Sequence, residues 1–124
     1  MKDLLRLPDS ELTVMQSVWE HPAPVTRADI EKDMQSVHPM AQTTLLTLLS
    51  RLTDKGFVAL EKVGRMSVYT PLVSKRDYLA AEGNRFFKKL CSGSMNSFAA
   101  ALCDSGLSRE DIEELRALLE RGEI

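Results

Sequence analysis

Up to Leu52 the large apolar residues of this chain recur every three or four positions; from Phe57 they do not, and Gly56 stands at the change. That switch limits the fold more than any other feature. Leu45, Leu48, Leu49 and Leu52 sit at i, i+3, i+4 and i+7, the spacing of a helix with one buried stripe. A glycine just after such a run is the common left-handed stop. The stretch beyond it, "FVALEKVGRMSVYTPL", predicts two short strands, about Phe57–Lys62 and Ser67–Leu72, with Gly64 in the turn. The hairpin tip then carries Lys62 and Arg65. Pro71 limits the second strand to an edge or ends it.

Two more helices precede this pair. The first starts after Asp9 or Ser10 and runs to about Glu20, with Leu12, Met15, Val18 and Trp19 as its stripe, until "EHPAP" breaks it with two prolines. "TRAD" at 26–29 places a side-chain acceptor three residues before an acid, a capping-box-like start. The second helix therefore spans about Arg27–Ser36 and buries Ile30, Met34 and Val37. Pro39 forces the residue before it out of the helical region, and the third helix covers about Ala41–Lys55.

After the hairpin the pattern is helical to the end, over about Ser74–Leu90, Met95–Cys103 and Ser108–Arg121, with "SKRD" and "SRED" as further capping-box-like starts. The expected fold is mainly α with a small β-hairpin, in two domains, 1–73 and 74–124. The second is below the ~70–80 residues at which a core stands without staples or oligomerisation. A homodimer is the simplest solution, with Tyr78, Phe86, Phe87, Leu90, Phe98, Leu102, Ile112, Leu115, Leu118 and Leu119 at the subunit contact or the core beneath it. Cys91 and Cys103 fit no zinc spacing. They read as reduced thiols packed as small hydrophobes, with a dimer-linking or redox-sensing disulfide as the alternative.

The third helix raises a question about its other face. Thr43, Thr47, Ser50 and Asp54 lie opposite the leucine stripe, with Thr44, Leu46 and Arg51 beside them, where a soluble helix usually carries Glu and Lys. Three helices and a hairpin is the order of a winged helix-turn-helix, in which the third helix enters the major groove. A groove-facing surface needs short side chains, hydroxyls for phosphates or bases, and methyls for thymine. The charge fits this use. From Met40 to Arg76 six basic residues face two acidic ones, whereas from Asp104 to Ile124 seven acidic residues outnumber three basic ones. The DNA-binding candidates are Thr43, Thr44, Leu46, Thr47, Ser50, Arg51, Lys55, Lys62 and Arg65.

Other classes find less support. The net charge of −2 argues against a partner chosen by bulk electrostatics. No apolar run reaches the ~18 residues of a membrane span, and the start lacks an apolar signal core, so a cytoplasmic protein without membrane insertion is expected. His21 and His38, the only histidines, each adjoin a proline and have no nearby Cys or carboxylate cluster. No glycine-rich phosphate loop occurs. An enzyme, a metal site and a cofactor are therefore not expected. A winged-helix protein-interaction module and a ligand-sensing repressor are the alternatives, since fold alone does not decide function.

The stretches "ELTVMQSVWE" (11–20), "TTLLTLLSRLTDKGFV" (43–58), "GR" (64–65), "VYTPLVS" (68–74) and "IEELRALLE" (112–120) resemble the penicillinase-repressor family of the BlaI/MecI type. The resemblance covers nearly the whole chain. It implies a homodimeric transcriptional repressor on a dyad-symmetric operator, relieved by cleavage in the dimerisation region when an antibiotic-sensing membrane protein signals. By position it implies groove contacts from Thr43, Thr44, Leu46 and Thr47, with Arg51 and the wing near the backbone. Relatives often carry a long polar or basic residue where Thr43 stands, and some carry arginine where Leu46 stands. Their scissile bond falls at Ala101-Leu102 here. The multi-cysteine site of a copper-responsive branch is not reproduced by Cys91 and Cys103.

Overall fold

The computed structural model describes residues 4–122. They form two compact units with the boundary between Glu82 and Gly83. The order in the first is α1 (Asp9–Glu20), β1 (Val25–Thr26), α2 (Arg27–Val37), α3 (Gln42–Asp54), β2 (Val58–Val63) and β3 (Met66–Pro71), followed by α4 (Lys75–Arg85). The three strands make one antiparallel sheet in the order β1-β3-β2. Val63 pairs with Met66, so the wing turns through Gly64 and Arg65 alone. Gly64 has φ +64° while Arg65 is not at positive φ, the pattern of a II′ turn, whose twist suits the flanking strands.

The core follows the predicted stripe of α3 and holds Ile30 and Met34 of α2, but in α1 it is rotated: Val14 is buried beside Met15 and Val18, while Leu12 and Trp19 pack against it only partly buried. Val14, Met15 and Val18 of α1 meet Ile30 and Met34 of α2, the four leucines of α3, and Phe57, Val58 and Tyr69 of the wing. Truncating one such leucine typically costs ~2–5 kcal/mol. The end of α3 is a Schellman motif: Phe57 N–H reaches Leu52 C=O at 2.9 Å and Gly56 N–H reaches Thr53 C=O at 3.1 Å. Gly56, at φ +80°, allows it. This cap turns the chain from the leucine stripe directly into buried Phe57 and Val58, so α3 and the wing are set by one junction.

Three expectations change. Val37 is 72% exposed, because it is the last residue of α2 and nothing covers that end. A two-residue strand, β1, pairs Val25 with Tyr69 and Thr26 with Val68. The helix from Ser74 is not uniform either: after Arg85 it passes into a π-helical turn, Phe86–Leu90, closed by Cys91 N–H on Phe86 C=O at 3.1 Å.

The first unit also reaches past residue 73. Tyr78, expected at the subunit contact, is buried in this unit's own core. Its hydroxyl accepts the Leu7 N–H at 2.9 Å, and its ring lies 5.7 Å from Trp19 and 5.8 Å from Phe57. The start of α4 packs against the winged helix, which is why the side chain has no free face for a partner. Trp19 Nε1 donates to Val73 C=O at 2.9 Å and holds the approach to α4 in place.

In the second unit, α5 (Met95–Asp104) and α6 (Arg109–Arg121) follow the π turn. Phe98 meets Phe86 and Phe87 edge-on at 5.9 and 5.6 Å. A full capping box joins Ser108 and Asp111. Yet neither α5 nor α6 buries a single residue, and Leu90, Met95 and Leu119 are each more than 60% exposed. Cys91 is buried and Cys103 exposed, both as free thiols.

Candidate nucleic-acid interface

The outward side of α3 is built by subtraction. Leu45, Leu48, Leu49 and Leu52 are all buried, leaving Thr43, Thr44, Leu46, Thr47, Ser50 and Arg51 exposed on the rest of the cylinder. The Thr47 hydroxyl donates to Thr43 C=O at 2.9 Å, so its proton is spent on the helix backbone. Ala41 at the N-cap provides no side-chain cap, which leaves the first amides of α3 open to an anion.

Glu31 ties α2 to this helix. Its carboxylate takes Arg27 Nε at 3.2 Å and the Gln42 side-chain amide at 3.4 Å. A groove of about 350 Å³ between the two helices is lined by Ala28, Glu31, Gln35, Met40 and Gln42 among others. On the other side of the α2 N-terminus, a crevice of about 170 Å³ brings Arg65 and Ser67 of the wing beside Thr26, Arg27 and Ala28. The wing tip, the start of α2 and the start of α3 are thus successive neighbours. Thr26 caps α2 by accepting Asp29 N–H at 3.1 Å. Burial raises the Tyr69 phenol, the β3 partner of Val25, above its ordinary value; Arg27 opposes this to a smaller extent and the negative charge of Glu31 adds to it.

Of the four cations expected at DNA, Arg51, Lys62 and Arg65 are exposed. Lys55 is not available in the same way. Its ammonium bonds the carboxylate of Glu11, whose side chain is 3% exposed. A carboxylate with so little water needs a counter-charge, and Lys55 at the C-cap of α3 supplies it. Sequence reasoning missed this pair because nothing local marks Glu11 as buried: it lies in the first turn of α1, where acids favour the helix dipole and are ordinarily solvated. Arg27 and Gln42, which Glu31 ties together beside the start of α3, were not among the sequence candidates, although the Thr26 cap placed Arg27 at a helix start.

A winged helix-turn-helix with a small-residue recognition face and basic groups on the wing defines a DNA-binding regulator class. The comparisons agree. The penicillinase repressor family matches residues 7–121. The chain is 31% identical over 121 residues to the penicillinase repressor of Bacillus licheniformis, covering 97% of this chain and 94% of that protein. It is 28% identical over 113 residues to the methicillin resistance regulatory protein MecI of Staphylococcus aureus, covering 90% and 91%. A solved structure of the Bacillus licheniformis BlaI monomeric form in complex with the blaP half-operator matches with a TM-score of 0.54 at 33% identity. That match covers 63% of this chain and 94% of the solved chain. The chain belongs to the penicillinase repressor family, whose members are transcriptional repressors and not enzymes. Among the described residues, no helix is long and apolar enough to cross a membrane.

Proposed function

We propose that this chain is a homodimeric repressor that places α3 of each subunit in the major groove of a dyad-symmetric operator, with the wing along the adjacent backbone. The observation that carries the reading is the outward face of α3: small hydroxyl side chains over a wholly buried leucine stripe, next to an uncapped helix start. Thr43, Thr44, Leu46, Thr47 and Ser50 meet base edges or nearby phosphates, while Arg51, Lys62 and Arg65 neutralise phosphates. The solved complex of a relative with half-operator DNA supports the partner.

The dimer is supported by the second unit, whose helices leave large apolar side chains exposed. Phe86, Phe87, Leu90, Phe98, Leu102, Ile112, Leu115, Leu118 and Leu119 are its candidate contacts. Relief is proposed to come from cleavage in this region after an antibiotic signal reaches a membrane sensor. Ala101-Leu102 lies inside α5, so cutting there requires that helix to open first.

The deciding experiment measures full-length protein on a duplex selected from a random pool and on a scrambled duplex, at one salt concentration. Thr47→Ala should weaken binding to the selected duplex by roughly ten-fold, as expected for one base contact, without changing the scrambled duplex or the melting temperature. No salt-sensitive binding of either duplex by the unaltered chain would favour a protein-interaction module instead.

A further inference from the structure

We infer that the recognition helix reads thymine through its 5-methyl group, with Leu46 as the specificity-determining residue. The inference rests on the reading of α3 as the groove helix and adds what that helix selects.

Leu46 is 37% exposed on a helix whose other leucines are buried, so it is available to a partner without leaving the core. Its surroundings lack the groups that read the other bases. Guanine presents two acceptors to the major groove and is matched by a guanidinium or ammonium; adenine is matched by a carboxamide. The first two turns of α3 hold no Arg or Lys, and the one carboxamide, Gln42, donates to Glu31 at 3.4 Å. The Thr47 hydroxyl donates to Thr43 C=O at 2.9 Å, which leaves it a methyl group and acceptor lone pairs for a partner. Arg51 lies more than a turn further along the helix.

Discrimination then has two sides. Against a thymine methyl, Leu46 buries apolar surface on both partners. Against guanine, the same side chain strips water from base acceptors and returns no hydrogen bond, a cost to the wrong sequence. An arginine or glutamine at this place would reverse that preference. The operator half-site is therefore expected to present a thymine to Leu46, and the operator to be richer in A·T pairs where α3 docks.

Deoxyuridine differs from thymidine only by the methyl and tests the idea directly. Full-length protein selects a duplex from a random pool, and each thymine of the selected half-site is replaced in turn by deoxyuridine. One position should lose about four-fold in affinity, the ratio equivalent to a buried methyl of ~0.8 kcal/mol. Leu46→Ala should lose a similar factor on the thymine duplex and be indifferent to that replacement, closing a double-mutant cycle on the contact. Leu46→Met, which keeps an apolar end, should retain the deoxyuridine penalty. Both variants must melt like the parent chain, so that lost binding is not lost folding. Equal affinity for thymine and deoxyuridine at every position overturns the inference, as does a penalty undiminished in Leu46→Ala. Failure to select any duplex overturns the DNA reading itself, and the methyl assignment with it.

Discussion

The ammonium of Lys55 ends on the carboxylate of Glu11, joining the C-terminus of the recognition helix to the first turn of α1. Lys55→Met strands a buried carboxylate. The expected loss is ~2 kcal/mol, below the ~3–5 of a wholly buried pair because the lysine is still 28% exposed. Adding Glu11→Gln should recover part of that loss. Urea unfolding of the two single variants and the double checks this; strictly additive losses would mean that the two side chains do not interact.

The same pair separates Lys55 from the wing cations. Arg65→Ala should reduce the slope of log K against log salt by about 0.9 for each phosphate its guanidinium neutralises, while the preference for operator over scrambled duplex persists. Lys55→Met, measured where it is folded, should leave the slope unchanged. Titrations at four or five salt concentrations distinguish the two. A slope unmoved by Arg65→Ala places the wing tip off the DNA.

Tyr78→Phe removes the acceptor of the Leu7 N–H, a buried bond of 2.9 Å, and keeps the aromatic ring. An orphaned buried donor costs ~1–3 kcal/mol, so the variant should melt several degrees lower while keeping its oligomeric state. A change in sedimentation with unchanged stability would return Tyr78 to the subunit contact.

Asp33 is held below the ordinary carboxylate value of 3.8, first by the Ser17 hydroxyl donating at 2.6 Å and also by His21 at 2.7 Å, with burial opposing. A depressed folded value means the unfolded chain binds the proton more readily. The stabilisation is therefore complete above 3.8 and fades as pH falls through the lower folded value. Asp33→Asn should be less stable than the parent at pH 6, with the gap narrowing below pH 4. A gap that is the same at both pH values would show that the charge is not its source.

Leu119 is 63% exposed on α6. On the proposed dimer, Leu119→Glu should give monomers in sedimentation of the full chain, with far-UV helicity retained by the winged-helix unit. Operator affinity should fall with it, because each subunit then binds its half-site alone.

Local chemistry made much of this molecule legible. The leucine stripe followed by Gly56 located α3 and its Schellman stop within a residue, and Thr26, Ser74 and Ser108 each cap a helix where the capping-box pattern placed it. What escaped were relations between distant residues. β1 is two residues long and exists only because Tyr69 and Val68 pair with it. Glu11 and Lys55 are far apart in sequence, and no periodicity links them. Tyr78 has the spacing and size of an interface residue, and its burial depends on Leu7, Trp19 and Phe57 converging on it. The outward face of α3 was readable, because exclusion from a stripe is itself periodic.

That short strand β1 also makes the wing a spoke fastened at both ends. Thr26 belongs at once to the sheet through Val68 and to α2 as its cap. A push on the hairpin is therefore felt at the start of α2, and through Glu31 at Gln42 on the recognition helix. On the proposed docking, the hairpin and α3 would then meet a duplex as one linked frame, so that a site whose backbone spacing suits one but not the other would load both, and groove width would be gauged by the frame as a whole.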